Sequence, residues 1–161
     1  LTIKELEEID HIDLAVDGVD EIDKDFNAIK GGGAALFREK IVADIAREVI
    51  WIYDESKDVE KLGNFNLPVE ILPFGYSHTI RKMEEAGLKP VLRLKDGATL
   101  ITDNNNYIVD LHLGYGFDIK VVKEKLESIV GVVEHGLFLN MCKLCIKGTE
   151  QGAVTIENPN K

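Results

Sequence analysis

Residues 17–40 read DGVDEIDKDFNAIKGGGAALFREK, and the reading of this run decides the fold. It crowds acidic side chains, Lys30, three consecutive glycines and Glu39 into one short segment. A stretch serving only as core would not carry that much charge and glycine together, so it points to an active site. Upstream, His11–Gly18 alternates Ile12, Leu14 and Val16 with Asp13 and Ala15, the period-2 pattern of a strand. That strand ends at Asp17-Gly18, where turn residues begin. Asp17, Asp20 and Glu21 are thereby delivered to a strand's carboxyl end, the usual ligand position in open α/β sheets. Downstream, a polar loop leads to the glycines and then to AALFREKIVADIAREV, residues 34–49. Apolar Ala34, Ile41, Val42, Ile45 and Val49 make this an amphipathic helix. VIWIYDESK, Val49–Lys57, then reads as a buried strand. Strand, helix and strand form a βαβ unit with parallel pairing and a right-handed crossover.

Beyond the linker-like KLGNFNLPVE the pattern changes. VEILPF is a strand, YSHTIRKMEEAG a helix closed by Gly87, and KPVLRL and NYIVDLHL two further strands. ATLIT either extends the preceding strand or forms a hairpin with NYIVD. DIKVVKEKLESIV is a helix and VVEHGLFL a last strand. This β-α-β-β-α-β order is ferredoxin-like. The expected fold class is therefore α/β, a Rossmann-like parallel-sheet domain, incomplete at its amino end, with a smaller ferredoxin-like α+β domain. Residues 1–68 and 137–161 are assigned to the first domain and 69–136 to the second. The tail returns to the first domain with one more strand around Leu144–Lys147, and Leu1–Asp10 is a short helix or connector.

The 161 residues are 45% hydrophobic and 30% charged, the balance of a soluble globular chain with a real core. A net charge of -10 argues against nucleic acid or an anionic membrane as partner, since both require basic patches. An anionic substrate would need locally placed cations. No apolar run approaches the ~20 residues of a membrane-spanning helix, and the cytoplasm is the expected location.

The chemistry lies in three parts of the opening run. Glycines let a ligand approach the backbone closely, and amides at a helix amino end attract developing negative charge. Lys30 adds a full positive charge beside them. Glu39, at the border of the helix's apolar stripe, is partly desolvated, which raises a carboxyl pKa towards that of a useful general base. A base and an electrophile so paired suit proton abstraction next to a carbonyl, with the enediolate held by Lys30 and backbone amides. Asp17 and Asp20 either cap a turn or line a ligand site. Glu21 and Asp23 are read as solvated, and Arg38 and Lys40 as ordinary helix-surface charges.

DGVDE, IKGGGAALFREK, DESK (Asp54–Lys57) and LPVEILPF (Leu67–Phe74), in this order, resemble ribose-5-phosphate isomerase, type A. TDNNNYIVDLHLG and GVVEHGLF extend the resemblance over nearly the whole chain, and Val19 stands where the family has Ala. The resemblance implies an aldose-ketose isomerase interconverting D-ribose 5-phosphate and D-ribulose 5-phosphate in the pentose phosphate pathway. It implies Glu39 as proton acceptor, with Lys30, Asp17 and Asp20 completing the catalytic set. Substrate contacts fall to Asp17, Gly18, Val19, Asp20, Lys30, Gly31, Gly32 and Gly33, with Lys57 binding phosphate or a hydroxyl. The substrate partner is a small sugar phosphate, no cofactor is needed for a proton shuttle, and the family forms homodimers or homotetramers. The family also carries an amino-terminal segment with a Gly-Ser-Thr phosphate loop that this chain does not contain. The expectation is a fragment, a processed product or half of a split protein, with part of the phosphate site missing.

Cys142 and Cys145 form CKLC. A strand would place them on opposite faces, and no second pair completes a tetrahedral zinc site, so they read as two buried thiols. His11, His78, His112 and His135 are scattered without ligand spacing, and no metal site is expected. Two other readings stay open: a binding module that holds a sugar phosphate or nucleotide without turning it over, and another sugar-phosphate isomerase.

Overall fold

The alternating stretch after His11 forms β1 (Ile12–Asp17) in a computed structural model of the chain, which describes residues 2–161. In order there follow β2 (Glu21–Asp23), β3 (Asn27–Ile29), α1 (Leu36–Ile45), β4 (Ala46–Asp54), β5 (Asp58–Val59) and β6 (Leu67–Ile71). Then come α2 (Tyr76–Glu85), β7 (Pro90–Leu92), β8 (Leu94–Lys95), β9 (Ala98–Thr99), β10 (Tyr107–Leu111) and α3 (Ile119–Ser128). The chain closes with β11 (Val132–His135), β12 (Leu137–Leu139), β13 (Leu144–Thr149) and β14 (Gly152–Glu157).

The first sheet has the order β1-β4-β13-β14. β1, β4 and β13 run parallel, and β14 folds back antiparallel as a strand not foreseen in the sequence. The register places Ala15, Asp17, Val49, Trp51 and Cys145 on one side, against α1 and the core. Leu14, Val16, Ile50, Ile52, Leu144 and Ile146 share the other side, where Leu14, Val16 and Ile52 are exposed. The alternation thus identifies the strand correctly, but its most apolar face is not the face that α1 covers.

The helix expected over 34–49 ends at Ile45. Ala46 is extended, its N–H still bonded to the Val42 carbonyl, and it begins β4 opposite Ile12. Ala46, Arg47 and Glu48 are good helix formers, but ladder bonds to β1 outweigh a preference of a few tenths of a kcal/mol each. The helix is also less buried than its pattern implied: Leu36 is buried, whereas Ile41 and Ile45 are exposed.

The antiparallel sheet has the order β11-β6-β10-β7, which is the ferredoxin-like arrangement, with α2 and α3 supplying Met83, Val122 and Leu126 to its core. ATLIT divides: Ala98 and Thr99 form β9 against β8 in a small hairpin not foreseen in the sequence, and Ile101 makes a single bridge to Tyr107. A further sheet, β12-β3-β2-β5, occupies the stretch read as a polar loop. Ile22, Ala28 and Ile29 are buried there, and Asp23 closes the hairpin by accepting from the Asp25 and Asn27 amides. Gly136 divides the expected last strand into β11 and β12. A side chain at Gly136 would start 2.2 Å from the Lys30 carbonyl oxygen, so only glycine lets β6 and Lys30 approach from both sides. Phe138 behind Lys30 is fully buried and contributes roughly 1.5–3 kcal/mol.

Candidate active site

Asp17 is the last residue of β1, and its place on the α1 side of the sheet aims its carboxylate at the helix. Lys30 follows β3, fastened by its amide to the Gly136 carbonyl at 2.9 Å. Its side chain is buried, and Nζ donates to Asp17 Oδ2 at 2.8 Å and to the Gly18 carbonyl at 2.6 Å. Nζ also lies 3.1 Å from Glu39 Oε2, one turn into α1, and 5.2 Å from the centre of the Phe138 ring. The bonds to Asp17 and Gly18 orient the ammonium, and Glu39 Oε2, although buried, receives no aligned hydrogen bond. That oxygen is nonetheless paired by charge with the Lys30 ammonium. Burial raises the Glu39 pKa above its ordinary value, and Lys30 pulls in the opposite direction without cancelling the effect.

Asp17, Gly18, Val19, Asp20, Lys30, Gly31, Gly32, Gly33 and Glu39 line one cleft of about 180 Å³. Nine of the ten residues singled out from the sequence thus come together. The tenth, Lys57, is not part of this lining. It sits half-buried in the 3-10 turn Glu55–Lys57 after β4, and since β4 runs parallel beside β1 that turn lies at the same end of the sheet. Val19 turns its side chain into the core. The Gly32 amide is engaged by Asp20 Oδ2 at 2.7 Å, and a Cβ on Gly32 would start 2.7 Å from Asp20 Oδ1. Gly31 adopts φ +107°, a conformation that side chains rarely tolerate. Gly33 borders open space.

Two neighbours depart from the sequence reading. Glu21 is not solvated: it is 2% exposed and accepts from the amides of Gly63, Asn64 and Phe65. The acidic setting of DGVDE hid this, because the loop that supplies the donors lies more than forty residues on. Lys40 is not a surface charge either. Its Nζ donates to Glu134 and to the His135 carbonyl and stands 4.8 Å from Phe138, on which Lys30 also rests. Burial lowers the Lys40 pKa, and burial together with the Lys40 charge brings His135 down to about 4. Arg38 is exposed and reaches the Asp103 carbonyl and Asn104. The thiols of Cys142 and Cys145 are buried as expected but meet at 3.7 Å instead of diverging, because only Cys145 belongs to β13. Among the described residues no group of three or more His, Cys, Asp or Glu side chains is arranged to hold a metal ion.

The chain that carries this constellation has known relatives. The family model for ribose 5-phosphate isomerase A (phosphoriboisomerase A) matches residues 1–152. The ribose-5-phosphate isomerase A of Bifidobacterium longum subsp. infantis is 52% identical over 162 aligned residues, covering 100% of this chain and 70% of the relative. That of Limosilactobacillus reuteri is 52% identical over 94% of this chain and 67% of its own length. Among solved structures, a D-ribose-5-phosphate isomerase in complex with phospho-erythronic acid superposes with a TM-score of 0.88 at 36% identity, over 96% of this chain and 69% of that one. The Neisseria gonorrhoeae ribose 5 phosphate isomerase A gives 0.87 at 36% identity, over 97% and 69%. Sequence and backbone agree along almost the entire chain, which belongs to the ribose 5-phosphate isomerase A family.

Proposed function

We propose that the cleft interconverts D-ribose 5-phosphate and D-ribulose 5-phosphate through a cis-enediolate. The observation that carries this is the Asp17–Lys30–Glu39 arrangement, in which a raised-pKa carboxylate at the cleft adjoins a fixed cation. Glu39 takes the proton from carbon 2 of the open-chain aldose. The C2–H electron pair becomes the C1–C2 double bond, and the carbonyl pair moves onto O1. Lys30 Nζ and the glycine amides meet that developing charge in a partly desolvated cleft, where such donors act most strongly. Return of the proton from Glu39 to carbon 1, with the proton of O2 passing to O1 as the C2 carbonyl forms, gives the ketose and restores the carboxylate. Asp17 and Asp20 hold sugar hydroxyls, and Lys57 serves the phosphate from the turn beyond β4. A relative solved with phospho-erythronic acid, a phosphorylated sugar acid, supports an anionic ligand of this size and kind.

Residues 1–68 with 137–161 act as the catalytic unit in this reading and 69–136 as the smaller one, supported by the separate parallel and antiparallel sheets. Assembly as a homodimer or homotetramer belongs to the same proposal, supported by the open apolar face at Leu14, Val16 and Ile52. Light scattering that shows a stable monomer would remove it. A cytoplasmic location belongs to the same proposal. The decisive experiment pairs an isomerase assay with calorimetric titration of ribose 5-phosphate. Turnover establishes the reaction, and binding without turnover would leave a recognition module.

A further inference from the structure

The glycine run does not set its own direction; a side chain from the antiparallel sheet grips it. Arg93 lies between β7 and β8, 14% exposed, with Nε and Nη2 forked onto the two carboxylate oxygens of Asp110 in β10 at 2.8 and 2.5 Å. Its remaining nitrogen, Nη1, donates to the Gly31 carbonyl at 2.9 Å and to the Gly32 carbonyl at 3.0 Å. In a trans peptide the C=O and the N–H point in opposite directions. The Gly31 carbonyl shares its peptide with the Gly32 N–H, and the Gly32 carbonyl shares its peptide with the Gly33 N–H. Holding both carbonyls on the Arg93 side therefore turns both amides the other way. The Gly32 N–H already meets Asp20 Oδ2 there, inside the cleft. A guanidinium at the carbonyl oxygens also polarises the same peptides, which strengthens their N–H groups as donors.

We propose that Arg93, anchored by Asp110, is a positioning residue for the isomerisation: it keeps the Gly32 N–H on Asp20 and fixes the Gly33 amide towards the sugar oxygens on which negative charge develops. The proposal rests on the isomerase reading of the cleft. Arg93 is not part of the cleft lining. It acts through the loop, which explains why a planar fork stands at this place. A lysine is a point charge and cannot hold a carboxylate bidentately while bridging two carbonyls.

The test uses Arg93→Lys and Arg93→Ala with ribose 5-phosphate as substrate, together with amide hydrogen exchange at Gly32. Expected is a fall in kcat of roughly 10–100-fold with KM changed by less than about threefold, since the affected donors matter most in the transition state. Protection of the Gly32 amide should fall while that of β1 and β4 is kept. Wild-type kcat in Arg93→Lys would overturn the proposal, and so would a loss confined to KM. Should Arg93→Ala fail to fold, Asp110→Asn keeps the guanidinium but loosens its anchor, and must show the same two effects in weaker form. Normal kcat with intact Gly32 protection in that variant also overturns the proposal. If the unsubstituted protein does not turn over ribose 5-phosphate, the isomerase reading fails, and Gly32 exchange still decides whether Arg93 holds the loop.

Discussion

Two glutamates from the same acidic run, Glu21 and Glu39, occupy opposite kinds of surroundings. Glu21 is buried without a cation, and both its oxygens are taken up by the amides of Gly63, Asn64 and Phe65. Glu39 is only partly buried, lies 3.1 Å from Lys30, and keeps an oxygen without an aligned donor. A buried carboxylate held by three backbone amides fixes a loop in place, whereas one that lines a cleft beside a cation with its pKa raised can take a proton. Glu70 shows that an oxygen without an aligned donor is not sufficient. Its Oε2 also lacks a partner while Oε1 accepts from Thr102, Asn104 and Asn106, but the residue is completely buried and borders no cleft described above.

The contrast breaks most visibly at Glu39. Glu39→Gln preserves shape and removes the base, so kcat should fall by about 10²–10⁴ with a modest change in KM. Retained turnover would show that the proton goes elsewhere. Lys30→Ala is next, with an expected loss of roughly 10²–10³ in kcat. Lys30→Met sharpens the electrostatic side of the argument. Lys30 is the main influence holding the Glu39 pKa down, so its removal should move the acid limb of kcat/KM to higher pH. A limb that stays in place would mean that Lys30 does not act on Glu39.

Glu21→Gln tests the structural half. Replacing one carboxylate oxygen by an NH₂ leaves a backbone donor unpaired, at a cost of about 1–3 kcal/mol in stability by denaturant titration. Turnover should stay within a few-fold of wild type. A large loss of kcat without a loss of stability would erase the distinction between the two glutamates. The smallest effect is the dependence of stability on pH. Because the Glu39 pKa is raised above 4.5, the folded state binds that proton more tightly than the unfolded state does. The corresponding stability is fully present below the unfolded pKa and is lost as pH rises through the folded one. The difference in stability between wild type and Glu39→Gln should change across that window, and equal slopes would place Glu39 in an unperturbed environment.

Much of this was legible along the chain because the relevant contacts are local or directional. The βαβ unit, the ferredoxin-like strand order and the joining of Asp17, Lys30 and the glycines follow from strand alternation, a helical run and turn residues that act within a few positions. The α1–β4 boundary was not legible: Ala46, Arg47 and Glu48 favour helix in isolation, and pairing with Ile12 and Leu14 reverses the preference. The hairpin of β2 and β3 was hidden because its strands are three residues each and β2 has an acidic residue at either end. Lys40 looked like a helix-surface charge because its partners, Glu134 and His135, lie 94 and 95 residues away. Arg93 gave no signal, since its value lies in two carbonyls about sixty residues earlier.

By itself the sequence determined which groups the site contains: a carboxylate on a helix, a lysine before three glycines, and acids at the end of a strand. These are matters of covalent order, hydrophobic period and backbone freedom, and they are written into short windows. Only the tertiary structure decided the state of each group. Whether a glutamate is sated by backbone amides or set at a cleft beside a cation, and which way the glycine peptides face, depends on donors and bulk brought from distant parts of the chain. Burial and hydrogen bonding are properties of that assembled environment, and for this reason Glu21 and Glu39, close in sequence, part ways in chemistry.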